Sequence, residues 1–183
     1  MLFRSVIRKS KVVEQHGDVS RVLVHWALGT AHILRNLGFK KVASPILSVY
    51  EWPGLYTPFL HQRDTASFLT LHRRCHVLNE QGSGKTNAAI WAADYLMNIG
   101  VIKRALIICP LSIMDCAWRS DLFKTAMHRK VGIAHGSPKK RTDVIFGDYE
   151  FVIINPDGVK SAVDELLRGK FDLVVCDEAT FLK

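Results

Sequence analysis

No stretch of the 183-residue chain approaches the ~20 consecutive apolar residues that a membrane-spanning helix needs. Charge also comes too early in the first residues for a secretory leader. A cytoplasmic protein is therefore expected, in the host cytoplasm if the chain is phage-encoded. The four cysteines, at 75, 109, 116 and 176, show no C-x-x-C spacing. Three of them fall in apolar segments and read as small core residues of a reducing compartment. His72 and His76 stand four apart, but no further ligand pattern accompanies them, which argues against a metal centre. There is no internal repeat and no low-complexity tract. Acidic residues are the scarce charge, with 17 Asp and Glu against 25 Lys and Arg. The imbalance is local: residues 1–41 hold eight Lys or Arg against Glu14 and Asp18, a net +6 of the chain's +8. Such a basic module suits contact with nucleic-acid phosphates, and equally a solubilising surface.

The strongest positive signal is Asn79-Glu80-Gln81-Gly82-Ser83-Gly84-Lys85-Thr86. An apolar segment, Cys75 to Leu78, precedes it and reads as a buried strand; a helix-prone segment, Thr86 to Ile99, follows. Gly82 and Gly84 allow the backbone to curl so that its N–H groups converge at the positive end of the next helix, which attracts polyphosphate. Lys85 is placed to neutralise the β- and γ-phosphates of a nucleotide, and the Thr86 hydroxyl to ligate Mg²⁺. Asn79 occupies a position where the full P-loop pattern has glycine.

Near the other end, Phe171 to Cys176 is an apolar run of the kind buried on both faces of a parallel sheet. It delivers Asp177-Glu178-Ala179-Thr180 at its carboxyl end. Asp177 is placed to hold Mg²⁺ and Glu178 to polarise an attacking water. A solvated turn would also explain an Asp-Glu pair, but its position after a P-loop in a βαβ pattern favours catalysis. Together the two motifs predict an ATPase core with Lys85, Asp177 and Glu178 as the catalytic set.

Strands are expected at Leu2–Arg8 and Arg21–Trp26, followed by a short helix at Thr30–Leu37, giving a small basic α+β module with its linker over residues 1–50. From residue 51 to 183 helix and strand alternate. Helices are expected at Gln62–Leu71, Asn87–Asn98, Met114–Thr125 and Lys160–Arg168. Strands beyond the P-loop are expected at Ala105–Cys109, Val131–Ala134, Phe151–Ile154 and Phe171–Cys176. This order predicts an α/β fold, a P-loop NTPase with a parallel sheet covered by helices on both faces. Trp91 and Trp118 fall on helices and read as packing.

The series resembles the first RecA-like motor lobe of superfamily 2 helicases, above all Snf-type translocases and helicase-like proteins of tailed phages. Residues 79–86 are similar to D-E-M-G-L-G-K-T. Pro58-Phe59-Leu60-His61-Gln62 is similar to the upstream P-x-x-H-Q element. Cys109-Pro110-Leu111-Ser112 with Trp118 resembles motif Ia, and Ile154-Asn155-Pro156-Asp157-Gly158 occupies the place of motif Ib. Asp177-Glu178-Ala179-Thr180 resembles D-E-A-H, with Thr180 in the histidine position. The resemblance covers about Leu55 to Lys183. It implies that ATP and Mg²⁺ are the cofactors and that residues 79–86 bind the nucleotide. Gln62 would read adenine, and Tyr50 or Tyr56 could stack on the base. Pro110, Leu111, Ser112 and Asn155 would touch the backbone of DNA, or of RNA. Ser112 has a second explanation as a helix N-cap.

The resemblance further implies a strand after the acidic motif, inserted between the P-loop strand and the Asp177 strand, and then a second RecA-like lobe bearing arginine fingers. The sheet is therefore expected to be incomplete, and the lobe to turn over slowly by itself. Two alternatives stand beside this reading: a non-catalytic fragment that occupies nucleic acid or a partner, and a small P-loop kinase. The kinase is disfavoured because no arginine-rich, lid-like segment is present.

Overall fold

The computed structural model describes Ile7 and residues 10–17 and 19–178. The expected strand at Leu2–Arg8 lies, apart from Ile7, outside these residues, as do Ala179 and Thr180 of the acidic motif.

The N-terminal module is an antiparallel pair, β1 (Ser10–His16) and β2 (Val19–Val24), followed by α1 (Leu28–Asn36). β1 was not anticipated, because its run of Lys, Glu, Gln and His carries little apolar signal. The register slips between Val12 and Glu14, leaving Val13 as a bulge. Within the connector, a single helical turn, α2 (Ile46–Val49), packs its buried Ile46 against α3 (Leu60–Leu71) and α4 (Lys85–Asn98).

The main sheet has four parallel strands in the order β4 (Val131–Ile133), β5 (Phe151–Ile154), β3 (Ala105–Ile108), β6 (Leu173–Cys176). The crossovers run through α5 (Ser120–Thr125), α6 (Pro138–Ile145), and the pair α7 (Pro156–Ser161) and α8 (Val163–Arg168). Alternation along β3 and β5 divides the core between the two faces. Ala105, Ile107, Phe151 and Ile153 meet Ile90, Ala93 and Met97 of α4 together with Trp118 and Leu122. Leu106, Val152 and Ile154 meet Ala134, Ile145 and Ala162 on the other side. Both faces are thus covered, as the near-continuous apolar strands require.

Three expectations need correction. Residues 75–78 form no strand, and Leu78 is 93% exposed. A strand persists only where a neighbour satisfies its N–H and C=O groups, and no described strand runs beside this segment. β6 is accordingly a terminal strand, with Val174 57% exposed. The expected helix at 160–168 is two helices broken at the buried Ala162, where φ is −136° and ψ 31°. The expected helix at 114–125 is a 3₁₀ turn at Leu111–Ile113, a π-helical stretch at Met114–Arg119, and then α5. The unforeseen α6 is short and polar; Ser137 caps it by accepting from Lys140 N at 3.3 Å, with Pro138 in the first turn.

Polar anchors hold this frame. Arg104, preceding β3, donates to the carbonyls of Tyr149, Gly169, Ile145 and Gly147, and its guanidinium lies 4.6 Å from the Phe171 ring centre. Burial depresses its pKa below the ordinary arginine value. Asp94, fully buried on α4, accepts from Tyr50 Oη at 2.5 Å and Arg129 Nε at 2.5 Å, and pairs with His128 Nε2 at 2.9 Å. Arg129 continues to Glu150 Oε1 at 2.6 Å and to Asn98. Burial, then the bond to Asp94, raises the Tyr50 pKa far above the usual phenol range.

Candidate nucleotide and nucleic-acid site

α4 is 14 residues long, carries no acidic group in its first turn, and begins at a left-handed N-cap, Gly84, with φ 74°. A side chain at Gly84 would also collide with Gln62, since a Cβ there would lie 2.0 Å from Gln62 Nε2. Glycine is thus required twice at that point, once by conformation and once by close approach. Gly82 is left-handed as well, with φ 77° and open space where its Cβ would be. The result is a loop whose unpaired first-turn N–H groups are free to face an anion.

Two neighbouring side chains of α3 brace the loop at one atom. Gln62 Nε2 donates to Ser83 O at 3.3 Å, and the His61 ring nitrogen lies 3.0 Å from the same oxygen. Gln62 Oε1 also accepts from Phe59 N at 3.0 Å, so the third residue of α3 satisfies the backbone N–H of its N-cap. Gln62 is buried, while His61 is exposed and stacks on Phe59 with ring centres 5.7 Å apart. Asn79 Nδ2 donates to Thr65 Oγ1 at 2.9 Å, tying the other end of the loop to the same helix. This is work for the side chain at a position where the P-loop pattern has glycine.

Lys85 Nζ donates to Asn79 O and Glu80 O, each at 2.9 Å, and takes part in no salt bridge among the described residues. Its ammonium folds back on the loop's own carbonyls. Ser83 Oγ is buried and has no hydrogen-bond partner among the described residues. An orphaned hydroxyl inside a phosphate-type loop, beside a lysine and the Thr86 hydroxyl, is a donor set that fits a nucleotide phosphate with Mg²⁺.

The carboxylates arrive from the sheet. β3 and β6 pair in register, Ile108 opposite Cys176, so that Asp177 N donates to Ile108 O at 2.8 Å. Asp177 is half-buried, and its Oδ2 accepts from Trp118 Nε1 at 2.8 Å. Glu178 is exposed and sits at φ 61°, a left-handed conformation that strains a residue with a Cβ. Cys109 beside them is buried, and its thiol is pushed up to about 12 by desolvation first, then by the charge of Asp177.

The same register aligns the other expected contacts. Ile108 also faces Ile154, so Pro110-Leu111-Ser112 and Asn155 leave adjacent strands at the same carboxyl edge as Asp177. Leu111 and Ser112 are exposed, and Asn155 and Pro110 partly so. Ser112 caps no helix with its side chain; its carbonyl accepts from Cys116 Sγ at 3.0 Å. Tyr50 is engaged with Asp94, Trp52 and Tyr95, whereas Tyr56 is exposed. Trp91 and Trp118 are buried, as the sequence suggested for packing residues. The indole bond to Asp177 was not foreseen, because its partner is 59 residues away.

This geometry meets an independent comparison. Residues 56–179 match the family described as ResIII, type III restriction enzyme, res subunit. The chain belongs to this family. It carries a helicase-like domain of the RecA-like fold. Among curated relatives, an uncharacterized ATP-dependent helicase of Mycoplasma genitalium is 31% identical over 107 residues, covering 57% of this chain and 10% of the relative. The human DNA repair and recombination protein RAD54B is 27% identical over 163 residues, covering 79% of this chain and 18% of the relative. Among solved structures, a Sulfolobus solfataricus SWI2/SNF2 ATPase core in complex with dsDNA aligns with a TM-score of 0.64 at 21% identity, over 72% of this chain and 28% of that one. At that identity the likeness concerns the fold, a RecA-like helicase lobe. The chain spans under a third of the length of each of these proteins. No helix among the described residues of this helicase lobe is long and apolar enough to cross a membrane.

Proposed function

We propose that this lobe binds Mg²⁺-ATP at residues 79–86 and, paired with a second RecA-like lobe, hydrolyses it to move along DNA in the cytoplasm. The observation that carries the reading is the glycine-built loop at the head of α4, where, among the described residues, the buried Ser83 hydroxyl has no partner and Lys85 is engaged only by loop carbonyls. A phosphate offers Lys85 a full charge in place of two carbonyl dipoles, so nucleotide binding exchanges weak partners for a strong one. Gln62 uses one donor and one acceptor internally. An amide retains one further donor and one further acceptor, which match adenine N7 and N6–H and favour ATP over GTP. Mg²⁺ would be held by the Thr86 hydroxyl and Asp177, and would supply neutralisation of phosphate charge. Glu178, exposed and held in a strained backbone, would orient the attacking water. Pro110, Leu111, Ser112 and Asn155 line the same edge for phosphate-backbone contacts, sequence-independent and applicable to DNA or RNA.

Nucleotide affinity for ATP and GTP, measured in the wild-type chain and in Lys85→Ala, tests the core of the proposal. ATP should be preferred, and Lys85→Ala should bind either nucleotide at least tenfold more weakly. Equal affinity for the two nucleotides would remove the Gln62 role and leave the loop intact. Turnover tests the rest. An arginine finger is worth about 10³–10⁵ in rate, so the chain alone should hydrolyse ATP barely, and a second lobe supplied in cis or in trans should restore DNA-stimulated turnover. Vigorous DNA-stimulated hydrolysis by monomeric residues 1–183, abolished in Glu178→Gln, would refute the two-lobe requirement.

A further inference from the structure

We propose that Trp118 is a positioning residue for Asp177, fixing one carboxylate oxygen so that the other is preset to hold a nucleotide-bound Mg²⁺. The inference rests on the reading of Asp177 given above and adds a residue that packing alone would otherwise explain.

Three observations converge on it. Trp118 is 2% exposed and locked among Ile90, Met114 and Leu122, so its ring has little rotational freedom. A buried indole N–H needs an acceptor. Here the acceptor is Asp177 Oδ2 at 2.8 Å, the first residue beyond the last strand; among the described residues Oδ1 accepts nothing. Second, Trp118 lies in the π-helical stretch Met114–Arg119. Such wide turns are rare and gather at functional sites. One extra residue in a turn rotates every later side chain by about 100° relative to an uninterrupted α-helix, so the π-stretch decides which way the indole faces. Third, the backbone on the far side of Asp177 is constrained too, by Asp177 N on Ile108 O before it and by Glu178 at φ 61° after it. A carboxylate held at its backbone and at one oxygen meets a cation without losing further rotational freedom. The same bond links the Asp177 carboxylate to the segment that begins at Pro110–Ser112.

The test is a nucleotide titration of the whole chain with a fluorescent ADP, in EDTA and in Mg²⁺, on wild type, Trp118→Phe, Asp177→Asn and the double variant. Removing an outer hydrogen-bond partner of a metal ligand typically costs about 10–100-fold in metal affinity. Trp118→Phe should therefore keep its affinity in EDTA within about twofold and lose about tenfold of the gain that Mg²⁺ confers. The double variant should be no weaker than Asp177→Asn. Independently of nucleotide, Asp177→Asn should move the indole N–H resonance that Trp118→Phe deletes. A variant in which benzothienylalanine replaces Trp118 keeps the ring shape without the N–H, and it carries the test should phenylalanine leave the core too loose to fold. An unchanged Mg²⁺ gain, or equal losses with and without Mg²⁺, would overturn the positioning role and leave nucleotide binding standing. A wild-type chain that binds no nucleotide would overturn both.

Discussion

Arg104 and Lys85 are both basic side chains that donate to backbone carbonyls, at opposite ends of the same domain, and they differ in what those carbonyls need. Arg104 lies before β3 at the amino end of the sheet. It satisfies four carbonyls of the loops that close that end, and its ring contact with Phe171 excludes water. Lys85 heads α4 in the phosphate-type loop and holds two carbonyls of an exposed stretch, Asn79 and Glu80, which water would satisfy equally well. One interaction is spent on the fold; the other is a placeholder that a stronger ligand can displace. The Asp94–Arg129 hub belongs with Arg104, and the bracing of Ser83 O by His61 and Gln62 belongs with Lys85. Arg104 and the Asp94 hub are closely partnered, whereas at the loop the Lys85 ammonium rests on exposed carbonyls and the Ser83 hydroxyl has no partner among the described residues.

The widest break in this comparison should come from Asp94→Ala. It removes the fully buried partner of Arg129, which keeps only the Glu150 and Asn98 side chains, and leaves the Tyr50 hydroxyl without its acceptor; breaking a buried pair costs about 3–5 kcal/mol. Urea denaturation should show that loss, while nucleotide affinity of the folded fraction stays near wild type. Lys85→Ala should invert the pattern. Loss of a charge-assisted bond to phosphate, about 1.5–3 kcal/mol, should lower nucleotide affinity at least tenfold with a urea midpoint close to wild type. An equal loss of stability in Lys85→Ala would erase the distinction between the two ends. Gln62→Ala straddles them. It removes the α3 cap and the brace on Ser83 O, so about 1 kcal/mol of stability should go, together with the preference for ATP over GTP.

Salt dependence sharpens the comparison for the basic N-terminal module. Phosphate contacts release counterions, so affinity for DNA falls linearly with log salt. Deleting residues 1–41 should flatten that slope if their charge contacts DNA. An unchanged slope would assign the charge to solubility and the contacts to residues after Pro110 and Asn155. The smallest effect concerns Cys109. Its folded pKa, about 12, exceeds the ordinary thiol value of 9.0. The folded state therefore retains a proton that the unfolded state loses between those values, and stability should fall as pH rises through that window. At pH 8 a maleimide should label the exposed Cys116 and spare the buried Cys109 until the chain unfolds.

Legibility followed the range of the interactions. The strands β3 and β5 were readable because unbroken apolar runs have one stable use, a sheet covered on both faces. The glycine turn at the head of α4 was readable because its conformation is local, two glycines within three residues. Segment 75–78 was misread because its apolar pattern matches a strand while pairing depends on a neighbour, and none of the described strands supplies one. β1 was missed because pairing with β2 forms it and its own composition does not announce it. Asp94 gave no signal: apart from Asn98, its partners Tyr50, His128 and Arg129 lie 34 to 44 residues away.

The sequence by itself determined the glycine turn that heads α4 and the parallel α/β plan, since glycine conformation, helix polarity and apolar periodicity act over a few residues. Only the tertiary structure decided which polar groups are held and which stay available. It sent the Gln62 amide to the loop carbonyl, turned Trp118 through a π-helical stretch onto Asp177, and buried Asp94 among four partners. A hydrogen bond between distant residues exists only once packing has fixed both ends, and no local pattern records that.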